Sequence, residues 1–152
     1  MLAFRLSRTK YMQFDGRGAL LASGRWNDAG VCMIYTSATR ALAVLEVLVH
    51  LRKDQVPPDY VFLEVTIPDT SILWPQAGDL PSDWRDAHPL RARSFGSEWA
   101  RSSGSLALAV PSTVIQEETN FLINPDHSAF SQVRLAGPQP FQFDRRLLRQ
   151  AP

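Results

Sequence analysis

The chain is short of lysine, of cysteine and of any long apolar run. Fourteen of its 16 basic residues are Arg, and the two lysines are Lys10 and Lys53. Cys32 stands alone, so no internal disulfide can form. With only His50, His88 and His127 beside it, no metal-ligand cluster arises at zinc-site spacing. No apolar stretch approaches the roughly 20 residues of a membrane span. The first residues, MLAFRLSR, lack the apolar core of a secretion signal. The charges nearly cancel, 16 positive against 15 negative for a net +1, which counts against binding nucleic acid mainly by charge. These absences predict a soluble chain of a reducing compartment, most simply the cytoplasm, with no metal, no membrane and no direct nucleic-acid partner.

What is present points to one domain over residues 1–152: 45% of residues are hydrophobic and 20% charged, enough to bury a real core. No repeat, linker or low-complexity tract interrupts it. Residues 2–6 read as a first strand. The glycines at 16, 18, 24 and 30 make residues 15–30 a loop. A second strand is predicted over 31–36 and a helix over 38–51, capped by Thr36 or Ser37 and closed by Pro57-Pro58. Between Ala41 and Val49 this helix is apolar on every face except Glu46, which predicts packing on all sides. Tyr60 to Ile67 alternates as a strand. Residues 68–89 read as a surface excursion, and 91–102 as a helix with Phe95 and Trp99 on one face, ended by Gly104. Short strands follow at 106–110, 121–123, 133–135 and 141–143. The fold class is α+β with a mixed or antiparallel β core.

Standard chemical motifs are missing. Gly16-x-Gly18 followed by Gly24 has neither the spacing nor the strand–helix setting of a dinucleotide fingerprint, and no P-loop or His-Glu-x-x-His occurs. Ser7-Arg8-Thr9-Lys10 matches Ser-x-x-Lys without its companion motifs. What remains is a group close in sequence: Arg25-Trp26-Asn27 in the glycine-rich loop, Tyr35 in the second strand and Glu46 in the apolar helix. An unpaired carboxylate there would be costly, so Glu46 either pairs with a buried donor or faces a cleft. Tyr35 is either a strand residue with a satisfied hydroxyl or a substrate platform. Ser112 and the run from Asn120 to His127 form a second polar group, in which Asn124-Pro125-Asp126 is by itself a turn signal.

Taken together, these stretches resemble the RES-domain family of bacterial toxins. The resemblance is carried by Phe4-Arg5-Leu6, by Ser23-Gly24-Arg25-Trp26-Asn27 and by Ile34-Tyr35-Thr36-Ser37. It continues through the helix from Ala41 to His50, Val110-Pro111-Ser112 and Glu118 to His127, in the family's order. Residues 68–105 carry no diagnostic motif, and Ser128 stands where a proline would be expected.

The resemblance implies a fold like that of ADP-ribosyltransferases and a toxin that consumes NAD⁺ by hydrolysis, phosphorolysis or ADP-ribosyl transfer. NAD⁺ is then a substrate, and no cofactor is implied. The implied partner is an Xre-type helix-turn-helix antitoxin that blocks the site in a hetero-oligomeric complex. The implied catalytic residues are Glu46, Arg25 and Tyr35, and the NAD⁺-binding residues Arg5, Arg25, Tyr35, Ser112 and Asn120. In this reading Glu46 stabilises the ribosyl cation, Arg25 and Arg5 hold the pyrophosphate, Tyr35 stacks on nicotinamide or ribose, and Ser112 bonds the carboxamide or ribose. Two rival readings stand beside it. One is a non-enzymatic binding module with a partner surface of Trp74, Trp84, Arg85, Arg91, Arg93 and Trp99. The other is a toxin acting on RNA through Arg25 and His127.

Overall fold

A computed structural model describes residues 1–52 and 56–148; Lys53 and Arg149, two of the cations counted above, lie outside them. Seven strands form one sheet: β1 (Leu2–Arg8), β2 (Ile34–Ser37), β3 (Tyr60–Thr66), β4 (Ile72–Leu73), β5 (Ala107–Pro111), β6 (Thr119–Ile123) and β7 (Arg134–Phe141). Their order across the sheet is β4-β5-β6-β2-β1-β3-β7. Only the short β4 pairs in parallel, with β5. Every other neighbour is antiparallel, so the sheet is mixed, as the α+β reading requires. Three helices accompany it: α1 (Arg17–Leu21), α2 (Arg40–Leu48) and α3 (Leu90–Ser102).

Side-chain alternation along β5 and β6 divides the core in two. Ala107, Ala109, Phe121 and Ile123 face one side, packed with Ala3, Ile34, Val65 and Ile67. Leu108, Val110 and Leu122 face the other, packed with Trp26, Met33, Ala92 and Trp99. Fully burying each of these larger side chains stabilises by about 1.5–3 kcal/mol. The second side is where α3 docks, and it carries the Arg25 loop with it. A third cluster joins α2 to β1 and β3 through Leu6, Ala43, Tyr60 and Phe62.

Several boundaries differ from the expectation. The glycine-rich loop contains the short helix α1. Strand β2 begins at Ile34, because Val31 and Met33 are spent on packing against α3. Helix α2 is capped by Thr39, whose hydroxyl accepts from Leu42 N at 3.0 Å, rather than by Thr36 or Ser37, which are still in the strand. It ends at Leu48, well before the prolines, and is not packed on all sides. Only Leu42 and Ala43 are buried, and Val49 beyond its end is 57% exposed. Ser103, not Gly104, takes the left-handed C-cap of α3. The two closing strands merge into β7, which runs through Gly137-Pro138 and Pro140. An edge strand tolerates proline because one side of its backbone needs no partner.

Candidate active site

Glu46 lies at the meeting point of α2, β2, β5 and β6. Its Oε1 accepts from Ser112 Oγ at 2.7 Å and from Asn120 Nδ2 at 2.6 Å. Ser112 follows β5, and Asn120 sits in β6, paired with Ser37 of β2. Both donors have their direction imposed. The Ser112 hydroxyl already accepts from Val114 N at 3.0 Å and Ile115 N at 3.1 Å, so its proton goes to the carboxylate. The Asn120 carbonyl accepts from Ser37 Oγ at 2.7 Å, and a carboxylate can only accept, so the amide's NH₂ faces Glu46. One oxygen of Glu46 is thereby tied down. No described residue bonds the other.

Two adjoining cavities, about 550 Å³ and about 760 Å³, share Gly24, Tyr35, Glu46, His50 and Asn120 in their walls. The smaller is largely apolar, lined by Phe4, Leu6, Tyr11 and Val47 but also by Arg5 and Asp15. Burial pulls the Arg5 guanidinium below the usual arginine range, with Asp15 opposing. The larger is lined by Arg25, Arg93, Pro89 and Thr113. Arg5 is therefore a neighbour of the Glu46 site, in the adjacent cavity rather than beside Arg25.

The loop bearing Arg25 is held from three directions. Asn27, 1% exposed, accepts from Gly24 N (3.0 Å) and the Tyr35 hydroxyl (2.8 Å), and donates to the carbonyls of Ala19, Ala22 and Asp28. Tyr35 also accepts from Trp26 N at 3.2 Å, and burial pushes its hydroxyl above the usual tyrosine range. A side chain at Gly24 would meet both Asn27 Oδ1 and Tyr35 Oη at 2.7 Å, so only glycine fits. From α3, Arg93 Nε donates to Gly24 O (3.2 Å) and Ser97 Oγ accepts from Asp28 N (2.8 Å). Gly96 lies between them under the Trp26 carbonyl, where a Cβ would come within 2.0 Å. Arg25 in turn donates from one nitrogen, Nη1, to the carbonyls of Trp84 (2.7 Å) and Asp86 (2.8 Å).

Of the expected site residues, the structure brings Arg25, Tyr35, Glu46 and Asn120 to one cavity. It alters the expected parts of three residues. Ser112 is fully buried with its hydroxyl committed, so it reaches a substrate only through Glu46. The Tyr35 hydroxyl is a strut for the loop, leaving its ring face to the cavities. Arg25 has only its remaining nitrogens for a ligand. Gly96 and Ser97 were missed, and Arg93 was named only for a partner surface; the spacing of the three on α3 marks one helix face, but Phe95 and Trp99 dominated that segment.

The residues of the two rival readings are placed as follows. Of the aromatic–arginine residues of the middle segment, Trp99 is buried in the core and Arg93 lines the larger cavity, while Trp74 is half-exposed. His127 lines neither cavity with Arg25. Its Nδ1 accepts from Ala129 N at 3.1 Å, and Asn124 Oδ1 accepts from Asp126 N at 3.0 Å, which makes that run a turn. Among the described residues, no group of three or more His, Cys, Asp or Glu could hold a metal ion, and no helix is long and apolar enough to cross a membrane.

The RES domain family matches residues 2–144, and the chain belongs to it. It is 38% identical to a Sphingobium protein named Prs ADP-ribosylating toxin, over 90% of this chain and 88% of that one. It is also 38% identical to a Yersinia enterocolitica protein named Toxin Res, over 97% and 99%. A solved structure of the Mycobacterium tuberculosis MbcT–MbcA toxin–antitoxin complex shares the fold, with a TM-score of 0.75 and 15% identity over 97% of this chain and 86% of that chain.

Proposed function

We propose that the chain is the toxin of a toxin–antitoxin pair and that it cleaves the nicotinamide–ribose bond of NAD⁺. One observation carries the reading. Glu46 is gripped at one oxygen by two donors and presents the other to a cavity that also holds a tyrosine ring and arginine side chains. The relatives' toxin names support it, and so does the ADP-ribosylating activity in one of those names, since ADP-ribosyl transfer begins with this bond.

The chemistry needs little more than that geometry. Breaking the bond passes through an oxocarbenium-like state, as in glycoside hydrolysis. Nicotinamide leaves a cationic pyridinium as a neutral molecule, so no general acid is required. Glu46 Oε2 is the group available to a developing ribosyl cation or to a ribose hydroxyl, and Ser112 and Asn120 prevent the carboxylate from turning away. The Tyr35 ring supplies a stacking wall. Arg25, and Arg5 from the adjoining cavity, supply positive charge for the pyrophosphate. The acceptor is water, phosphate or a protein side chain, and an Xre-type antitoxin is the expected partner.

Purified protein incubated with NAD⁺ should release nicotinamide, and Glu46→Gln should slow this by about 10²–10³-fold, the usual loss for one preorganised electrostatic contact. Full turnover in a folded Glu46→Gln protein would remove Glu46 from the chemistry. Added inorganic phosphate, and labelled NAD⁺ with protein acceptors, separate the three outcomes.

A further inference from the structure

The middle segment, which carried no recognisable motif, places an unassigned cation in the cleft. Arg93 is held by a single bond, from Nε to Gly24 O. No described residue takes a hydrogen bond from its Nη1 or Nη2. Among the described residues, no carboxylate forms a salt bridge with it or with Arg25. Both arginines line the larger cavity, and Glu46, the one acid in that wall among the described residues, is turned to Ser112 and Asn120 through Oε1 and forms a salt bridge with neither. Because Arg93 bonds the residue next to Arg25, the two guanidiniums are fixed by the same loop. Their charges also reach the same hydroxyl, that of Tyr35, which both draw downward against the effect of burial. Two cations turned into one cavity, neither in a salt bridge with a described carboxylate, make a site for a doubly charged oxyanion, since guanidinium forks match phosphate oxygens.

We propose that Arg93 and Arg25 together form a phosphate clamp, and that Arg93 is a substrate-binding residue. The inference deepens the NAD⁺ reading and rests on it for the identity of the phosphate donor. The clamp itself follows from charge and geometry. Its ligand is either the pyrophosphate of the dinucleotide or a free phosphate acceptor.

The test uses the full chain and the variants Arg93→Met, which keeps the stem and loses the charge, and Arg93→Lys, which restores a cation without the fork. Binding of inorganic pyrophosphate is measured by calorimetry, separately from turnover. Arg93→Met should weaken it by about tenfold to a hundredfold, the usual cost of losing a hydrogen bond to a charged group. Arg93→Lys should recover part of it. Inhibition by nicotinamide, which carries no charge, should stay within about twofold; a collapsed loop would weaken both, so a parallel loss of nicotinamide inhibition overturns the proposal. Pyrophosphate binding that is undetectable in the unmodified protein, or unchanged in Arg93→Met, also overturns it. A raised KM for NAD⁺ in phosphate-free buffer assigns the clamp to the dinucleotide, and a lost response to added phosphate assigns it to the acceptor. Arg93-dependent pyrophosphate binding in a protein that leaves NAD⁺ intact would sustain the clamp and remove the NAD⁺ reading.

Discussion

The Ser37 hydroxyl donates to Asn120 Oδ1 at 2.7 Å across the β2–β6 ladder, where the two residues are register partners. That bond decides which end of the Asn120 amide meets Glu46. Ser37→Ala should leave the fold intact and lower kcat for NAD⁺ by severalfold to about tenfold, the worth of one hydrogen bond, with KM little changed. Asn120→Asp should do far more damage, because it sets a second carboxylate against the first. Steady-state kinetics on the two variants checks the order.

Gly96→Ala tests the close approach of α3 to the Arg25 loop. A methyl group 2.0 Å from the Trp26 carbonyl cannot be accommodated without moving the helix or the loop. We expect a loss of about 3 kcal/mol or more, at the upper end for overpacking, which in a chain of this size lowers the Tm by roughly 2–4 °C per kcal/mol. Thermal unfolding followed by circular dichroism reads it directly.

Alkaline titration reports on Tyr35. Burial raises its pKa, so the native state keeps the proton after the unfolded chain begins to lose it near about pH 10. Stability is therefore complete below about pH 10 and declines above it, because the native state binds more protons than the unfolded one. Tyr60 is raised by burial with the same sign, whereas Tyr11 is lowered by Lys10 and should ionise first. Tyr35→Phe should flatten the alkaline decline. At neutral pH it should cost about 1–3 kcal/mol, for the Trp26 N–H left without its acceptor. Tyrosinate absorbance beside denaturant unfolding at each pH separates the two effects.

Asp83 accepts from Arg91 N at 2.7 Å and Ala92 N at 3.0 Å, capping α3 from the same loop whose carbonyls hold Arg25. Asp83→Ala should cost about 1 kcal/mol, as lost helix caps do. It should also speed amide exchange at Arg91 and Ala92 and raise KM for NAD⁺ by loosening Arg25.

Much of the frame was legible because local signals agreed with the tertiary answer. β1, β3, α2 and α3 lie within a few residues of where alternation and helical spacing put them. Glu46 stood out because a carboxylate amid Leu and Val needs a reason, and the reason is Ser112 and Asn120. The partners themselves, 66 and 74 residues away, had no local trace. The same holds for Arg93, whose bond to Gly24 spans 69 residues. Helix α2 read as enclosed because apolar content was taken for burial. In the fold, part of that surface walls the cavities through Ala43 and Val47, and part stays half-exposed. The strands expected at 133–135 and 141–143 are joined in β7 through Gly137-Pro138, because the ladder bond that proline costs a central strand is not needed on an edge.

The long sequence separations also set when the site can exist. A chain synthesised only through Leu90 already carries Arg5, Arg25, Tyr35 and Glu46, with Asn27 to hold Tyr35 and the Trp84 and Asp86 carbonyls to hold Arg25, but without the rest of the site's supports. The loop lacks the α3 face made by Arg93, Gly96 and Ser97, and Glu46 lacks both donors until Ser112 and Asn120 emerge. The proposed site is thus incomplete until residues through Asn120 are present. It closes only when residues of the last third fold back onto the first, so the proposed chemistry depends on contacts made late in the chain.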